Sequence, residues 1–368
     1  MKLKVKTEKI DDELLIKRMN MSIGDNSIIT PFKSTDISIK DSSVNEIYKE
    51  ISSTLLDSML SDETQERRIN SDIQRKKGKN VNLFIVNYTD LQSPNDKQME
   101  TLSDMQYSHS DVVITPSWSK ICRDLTGDAL LENYIQATNN FIKVVETLNN
   151  KSIVGLISSK LPRQYLEKII DNYHKQDITS FVIDFDGRSI ATNPTWIRSM
   201  MRTLSSLNLI EESFIYSINA NEGKFMKIAD RILAKDFINL GFGIDGLGLN
   251  HIGPRISTEI WNQIKAARQE NTLRIFDRED YAYTKVPEQE IISQWNVPSN
   301  QVRNTVKTYN MKEQKDEALQ IQQIMKSNDT VESYLQTKSQ IDEDTFKKIK
   351  LTRRDALTRQ SRQKSLFE

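Results

Sequence analysis

Carboxylates and amides close one predicted strand after another along this chain. Apolar runs rich in β-branched residues place strands at 81–88, 111–115, 152–158, 180–184, 214–218, 237–244 and 272–276. The residues at their ends are Asp90, Ser117, Ser158 and Ser159 in GLISS, Asp184 and Asp186 in IDFDG, Asn219 and Asn221 in INAN, Asp245 in GIDG and Asp277 in IFDRED. Several carboxylates around one pocket suit nucleophilic or general-base work on a sugar carbon. The same oxygens suit a divalent cation. Taken singly, Asp90, Asp186 and Asp245 also read as turn residues. SPND follows the first, and a glycine follows each of the others. The catalytic reading therefore rests on Asp90, Asp184, Asp186 and Asp245 falling together at strand ends.

Other chemistries find little support. There is no G-x-S-x-G, and of His109, His174 and His251 only the last falls near a predicted strand end. GFGIDGLG opens no helix, so it is not a dinucleotide fingerprint, and no P-loop is present. The single cysteine, Cys122, excludes an internal disulfide and a Cys-rich zinc site. No cofactor and no metal are expected.

Strands alternating with amphipathic helices must position these residues. Leu130, Leu131, Tyr134, Ile135, Phe141, Ile142, Val145 and Leu148 make one apolar stripe. Pro162 and Pro194 each mark a first helical turn, and Asn193 is a candidate N-cap. Repeated βα units predict a parallel sheet, and seven or eight of them favour a closed barrel. The expected fold is α/β, a (β/α)8 TIM-like barrel over 1–287. A helical extension with a basic tail follows over 288–368. Ahead of the alternation, 1–40 reads as a short strand at 3–5, a helix, and a strand near 28–37. Residues 43–75 read as a helical insertion, from Ile47, Ile51, Leu55, Leu56 and Met59.

Length and charge agree with that organisation. The chain has 368 residues, 37% of them hydrophobic and 28% charged, which suits a barrel with appended helices rather than a disordered chain. The 51 basic and 51 acidic residues cancel, so affinity for nucleic acid must come from local patches. Two exist: Arg67, Arg68, Arg75, Lys76, Lys77 and Lys79, and a run from Lys347 to Lys364. Each reads either as a solvated helix face or as a phosphate-contacting surface. No run is long and apolar enough for a membrane span, and MKLKVKTEKIDDELL is too charged for a signal peptide. A cytoplasmic protein without membrane partners is expected.

The pieces, in order, resemble the tRNA-guanine transglycosylase family. SIGDNSIITPFKSTDI resembles its opening segment, with Thr30-Pro31 leading into the first barrel strand, and VNYTDL its strand ending in threonine-aspartate. Residues 93–114 and 152–187 are similar to the following helices and strands, 232–255 to the last barrel strand, and 272–287 to the strand after it. The resemblance covers roughly 20–290, and it includes the DNA-guanine branch.

It implies base exchange on tRNA or DNA. In the family an aspartate attacks the ribose anomeric carbon, guanine leaves, a second aspartate handles protons, and a 7-deazaguanine enters. By carry-over Asp90 is the proton-handling residue, Ser158 and Ser159 fall at the base pocket and Asp184 on the next strand; Asp186 and Asn219 join them as strand-end candidates for substrate binding, and Asp245 is the remaining candidate nucleophile. The family's own nucleophile position falls on Gly248, and IISQWNV stands where its zinc cysteines belong. Other readings stay open: a non-catalytic paralogue serving as a nucleic-acid-binding or partner subunit, or another enzyme using the acidic rim with a divalent cation. A homo- or heterodimer is left open too.

Overall fold

The computed structural model describes residues 2–367 other than 119, 122–125, 149–150, 226–228, 254–258, 260–261, 263–270 and 328, with side chains through 357. Cys122 lies outside the described residues.

The chain opens with three antiparallel strands, β1 (Leu3–Ile10), β2 (Lys17–Ile23) and β3 (Asn26–Ile29), in the order β1-β2-β3. A helix was expected between the strands at 3–5 and near 28–37, where β2 stands. Instead Asp11 Oδ1 accepts from the backbone of Glu13 and Leu14, making a local turn. LKVKTEKI has the two-residue alternation of a half-exposed strand, and its burial alternates accordingly.

Parallel strands follow: β4 (Phe32–Lys33), β5 (Val44–Ile51), β6 (Val81–Tyr88), β7 (Val113–Ile114), β8 (Ile153–Ser158), β9 (Phe181–Asp184) and β10 (Ile215–Ile218). After β11 (Arg231–Leu233) comes a last parallel strand, β12 (Gly246–Leu247). Six of them form a parallel sheet in the order β4-β12-β10-β9-β8-β7, and β5 and β6 pair with each other. Parallel bridges Thr35–Asn45 and Asn87–Ser117 link that pair to the β4 and β7 sides. The backbone bonds there are 2.8 Å long, Glu46 N to Thr35 O and Ser117 N to Val86 O.

Two expectations are corrected here. Residues 44–51 are strand rather than helix; only α1 (Ser53–Ser61) and α2 (Glu63–Gln74) of the 43–75 stretch are helical. Ile47 and Ile51 misled because a spacing of four keeps two residues on one face in either geometry. Residues 237–244 are not strand: a 3-10 helix spans Phe237–Phe242, and Gly243 ends it at φ 89°.

Helices separate the remaining parallel strands: α3 (Asp96–His109), α4 (Gly127–Thr147), α5 (Leu166–His174) and α6 (Thr195–Ser206). Asn95 and Gln98 close a capping box at the start of α3. Leu130, Leu131, Tyr134, Phe141, Ile142 and Val145 of α4 are buried, as their spacing predicts. The expected strand 272–276 exists as β13 (Thr272–Asp277), but it pairs antiparallel with β14 (Ala282–Pro287), which also takes β11. This corrects its assignment to the parallel set. The rest is helical: α7 (Glu288–Trp295), α8 (Val302–Lys326), α9 (Val331–Gln336) and α10 (Glu343–Phe367). Asp355 of α10 binds Arg202 of α6 at 2.6 Å and Arg198 Nε at 2.7 Å, fastening the terminal helix to the α/β unit. Among the described residues, no helix is long and apolar enough to cross a membrane.

Strand alternation sorts the core into two. Val44, Val81, Leu83, Ile85, Ile114, Val154, Leu156, Val182, Phe214, Tyr216 and Ile218 pack together with Met21, Ile23 and Ile28 of the opening sheet. Their strand neighbours Ile47, Phe84, Val86, Ile157, Phe181, Ile183 and Ile215 pack with the helices. Each buried Leu, Ile or Phe contributes about 1.5–3 kcal/mol.

Candidate active site

In a parallel sheet every strand delivers its carboxyl end to the same side, where loops carry chemistry. On several strands the register that is apolar at the amino end turns polar there. Val44 gives way to Glu46 and Tyr48, Leu156 to Ser158, and Val182 to Asp184.

Asp184, 3% exposed, is one hub. It accepts from Ser117 Oγ at 3.1 Å, Asn219 Nδ2 at 3.0 Å and the Asp186 backbone at 2.9 Å. Burial pushes its carboxyl above the usual range, against the pull of the Asn219 amide. Asn219 adopts the left-handed region at φ 56°, and its Oδ1 accepts from the His251 backbone at 2.9 Å. Short polar side chains tolerate that conformation best.

Glu46 is the second hub. Its carboxylate is fully buried. It accepts from Tyr216 OH, from Ser34 Oγ at 3.3 Å and from the Leu249 backbone at 3.1 and 3.2 Å. His251 Nε2 lies 2.5 Å from Oε1. The His251 ring stacks on Tyr48, with centroids 4.3 Å apart and planes 5° from parallel. Burial and the Glu46 charge push the Tyr216 phenol well above its usual value, and burial beside Asp184 raises Tyr48. A Cβ built on Gly248 would collide with Glu46 Oε2 and with the Ser217 carbonyl. Lys33 donates to the Gly248 carbonyl, and burial lowers its ammonium.

Two cavities open on the same side. One, of about 330 Å³, is lined by Lys33, Gly248, Glu222, Asp236, Arg274 and Tyr283. The other, of about 400 Å³, is lined by Ser159, Lys160, Arg163, Arg188, Thr195 and Trp196. Both fall within the usual size of small-ligand pockets.

The residues singled out from sequence divide accordingly. Asp184 and Asn219 meet at the hub, with Ser117. Ser158 is buried at the end of β8, and its Oγ accepts from Lys160 N at 3.3 Å. Ser159 Oγ donates to the Phe185 carbonyl at 3.0 Å and lines the larger cavity. Asp186 turns the chain at φ 49° and pairs with Lys160 at 2.7 Å. Asp90 lies just beyond β6 on this side, where its Oδ2 accepts from Ser53 N at the start of α1. That backbone bond holds its carboxyl below the usual range, the behaviour of a helix cap. Asp277 pairs with Arg231 at 2.6 Å on the antiparallel sheet.

Asp245 requires correction: it is not brought together with the others. It immediately precedes β12, so it stands at the amino edge of the sheet, opposite Asp184. Its Oδ2 accepts from Ile215 N, at the start of β10, at 2.8 Å, and pairs with Lys17 at 3.0 Å. The 3-10 turn delays the strand until Gly246, and this moves Asp245 from the expected far end to the near one. Burial pushes its carboxyl up to about 6, with Lys17 opposing.

Sequence reasoning missed Glu46 and Tyr48. The available signal was Val44-x-Glu46-x-Tyr48, a carboxylate on the alternating register of a strand, hidden by the helical reading of that stretch. Among the described residues, no three His, Cys, Asp or Glu side chains converge to hold a metal ion. The first basic patch is partly neutralised on α2, where Arg67 pairs with Glu63 and Lys76 with Asp72. In the tail, Lys348 pairs with Asp344 and Lys350 with Glu332; side chains beyond 357 lie outside the described residues.

No known family model matches the chain, and no curated protein matches it significantly.

Proposed function

We propose that the chain is a divergent (β/α)8 barrel of the tRNA-guanine transglycosylase kind, exchanging guanine in RNA or DNA for a 7-deazaguanine base. Supporting the barrel, the parallel strands and the two parallel bridges link in the cyclic order β4-β5-β6-β7-β8-β9-β10-β12 and back to β4. The split of the core into two clusters suits the inner and outer walls of a closed sheet. Residues 1–287 then make the barrel unit, and 288–368 the helical extension.

One observation carries the function. The resemblance puts a carboxylate at position 248; the chain has glycine there, and the Glu46 carboxylate from β5 occupies the space a side chain would take. A carboxylate is thus kept beside that point, fully buried and bonded to Tyr216, Leu249 and His251. Asp184, Ser117 and Asn219 alongside supply donors and acceptors for the edge of a base.

The experiment is incubation of the full chain with labelled guanine and either mixed tRNA or duplex DNA. Covalent incorporation supports exchange. A second reading, a non-catalytic nucleic-acid-binding subunit, is favoured by the engagement of Asp90 as a cap and of Asp245 with Lys17. It predicts salt-sensitive binding without incorporation.

A further inference from the structure

We propose that His251 and Glu46 form a proton-transfer dyad, in which His251 Nδ1 exchanges a proton with a ring nitrogen of the bound base and Glu46 is the positioning residue. The substrate in this assignment rests on the function proposed above; the dyad rests on geometry alone.

Three donors converge on the Glu46 carboxylate besides His251: Tyr216 OH, Ser34 Oγ and the Leu249 backbone N–H, which reaches both oxygens. A carboxylate so surrounded is held as the acceptor, so the short contact to His251 is an Nε2–H donating to Oε1. In the neutral ring that bond places the proton on Nε2 and the lone pair on Nδ1. Three further restraints hold the ring: stacking on Tyr48, the Asn219 bond to the His251 backbone, and the Leu249 bond two residues earlier. The His251 side chain is 21% exposed whereas Glu46 is fully buried, so the base is reachable and its anchor is not. A nucleophile or base oriented by a third, buried group is the general logic of such relays.

The step balances without another reactant. The N–H bond of the incoming base breaks, its electron pair stays on the ring nitrogen, and the proton joins Nδ1. The imidazolium charge is offset by Glu46. For the departing guanine the imidazolium form gives its Nδ1 proton to the ring nitrogen as the bond to the sugar breaks, and the neutral ring so formed then takes the proton of the incoming base. The charged and titratable groups around the pair are Tyr48 on β5, with Asp184 and Glu50 nearby, Tyr216 on β10, and Lys33 on β4 across Gly248.

A mere clamp, tying residues 249–251 onto β5, would show the same contacts and the same tautomer, so the tautomer tests the geometry and rescue of exchange by imidazole tests the proton transfer. Nitrogen-15 NMR of the full chain, with His251 assigned by its absence in His251→Ala, should show the Nε2–H tautomer, and Glu46→Gln should lose that preference. An Nδ1–H tautomer in the wild type, or one unchanged in a folded Glu46→Gln, would overturn the dyad. Where Glu46→Gln does not fold, the partly exposed His251→Ala decides: exchange should fall about 100-fold and return on adding imidazole. A folded His251→Ala that exchanges at the wild-type rate, or that imidazole does not restore, overturns it as well. A wild type inert in exchange contradicts the function proposed above; an Nδ1–H tautomer contradicts the dyad whatever the exchange.

Discussion

The Oε2 atom of Glu46, on β5, crowds the place that the first side-chain atom of residue 248 would take on the strand exit of β12, as does the Ser217 carbonyl. The two positions therefore cannot both carry a side chain in this arrangement. Gly248→Ala should force Glu46 or the Ser217 carbonyl aside, at a cost of about 1–3 kcal/mol, as for other overpacked sites. Chemical denaturation reads this directly. A midpoint equal to that of the wild type would mean that Glu46 does not occupy the space.

Lys17 and Asp245 should matter for stability and not for chemistry. Asp245 has a folded value near 6, raised from 3.8, so its contribution favours the fold below about pH 4 and is lost as pH rises through about 6. Lys17 limits that loss by opposing the rise. In Lys17→Met the carboxyl should climb further, so the loss continues to higher pH. The stability deficit of Lys17→Met should therefore widen above about pH 6, reaching about 3–5 kcal/mol where a buried charge is left uncompensated. A deficit that is constant with pH would show that Asp245 does not feel Lys17.

Asp184→Asn should keep the fold and weaken base binding at least about 10-fold, or about 1.4 kcal/mol. Ser117, Asn219 and the Asp186 backbone all donate to Asp184, and an amide offers only one acceptor oxygen among them. Calorimetric titration with 7-deazaguanine measures it. Unchanged affinity would remove Asp184 from the base site.

Arg163, exposed beside the larger cavity, is placed for a phosphate. Arg163→Ala should reduce the slope of log affinity against log salt by about 0.9 for duplex DNA. An unchanged slope would leave Arg163 a solvated side chain.

The alternation of strands and helices from residue 81 onward was legible because each strand there is a short apolar run bounded by polar residues. Asp184 and Asn219 were found at strand ends for that reason. Glu46 was not, because Ile47 and Ile51 satisfy helical and strand spacing alike, and the choice between them comes from pairing with Val81–Tyr88, which is distant in sequence. Asp245 was misplaced by a shift of register: FINLGF reads as strand by composition but is wound into a 3-10 turn that ends at Gly243. With the strand at 246–247 rather than 237–244, Asp245 precedes it instead of following it.

The central claim is base exchange at the mouth that holds Asp184, Glu46 and His251. The most direct measurement is acid-precipitable label after incubating labelled guanine with the full chain and tRNA or duplex DNA, beside folded Asp184→Asn and Asp245→Asn. The account predicts label in one nucleic acid, sharply reduced by Asp184→Asn and retained by Asp245→Asn, whose side chain lies at the opposite edge of the sheet. No label with either nucleic acid, or label that survives Asp184→Asn and disappears with Asp245→Asn, would contradict it.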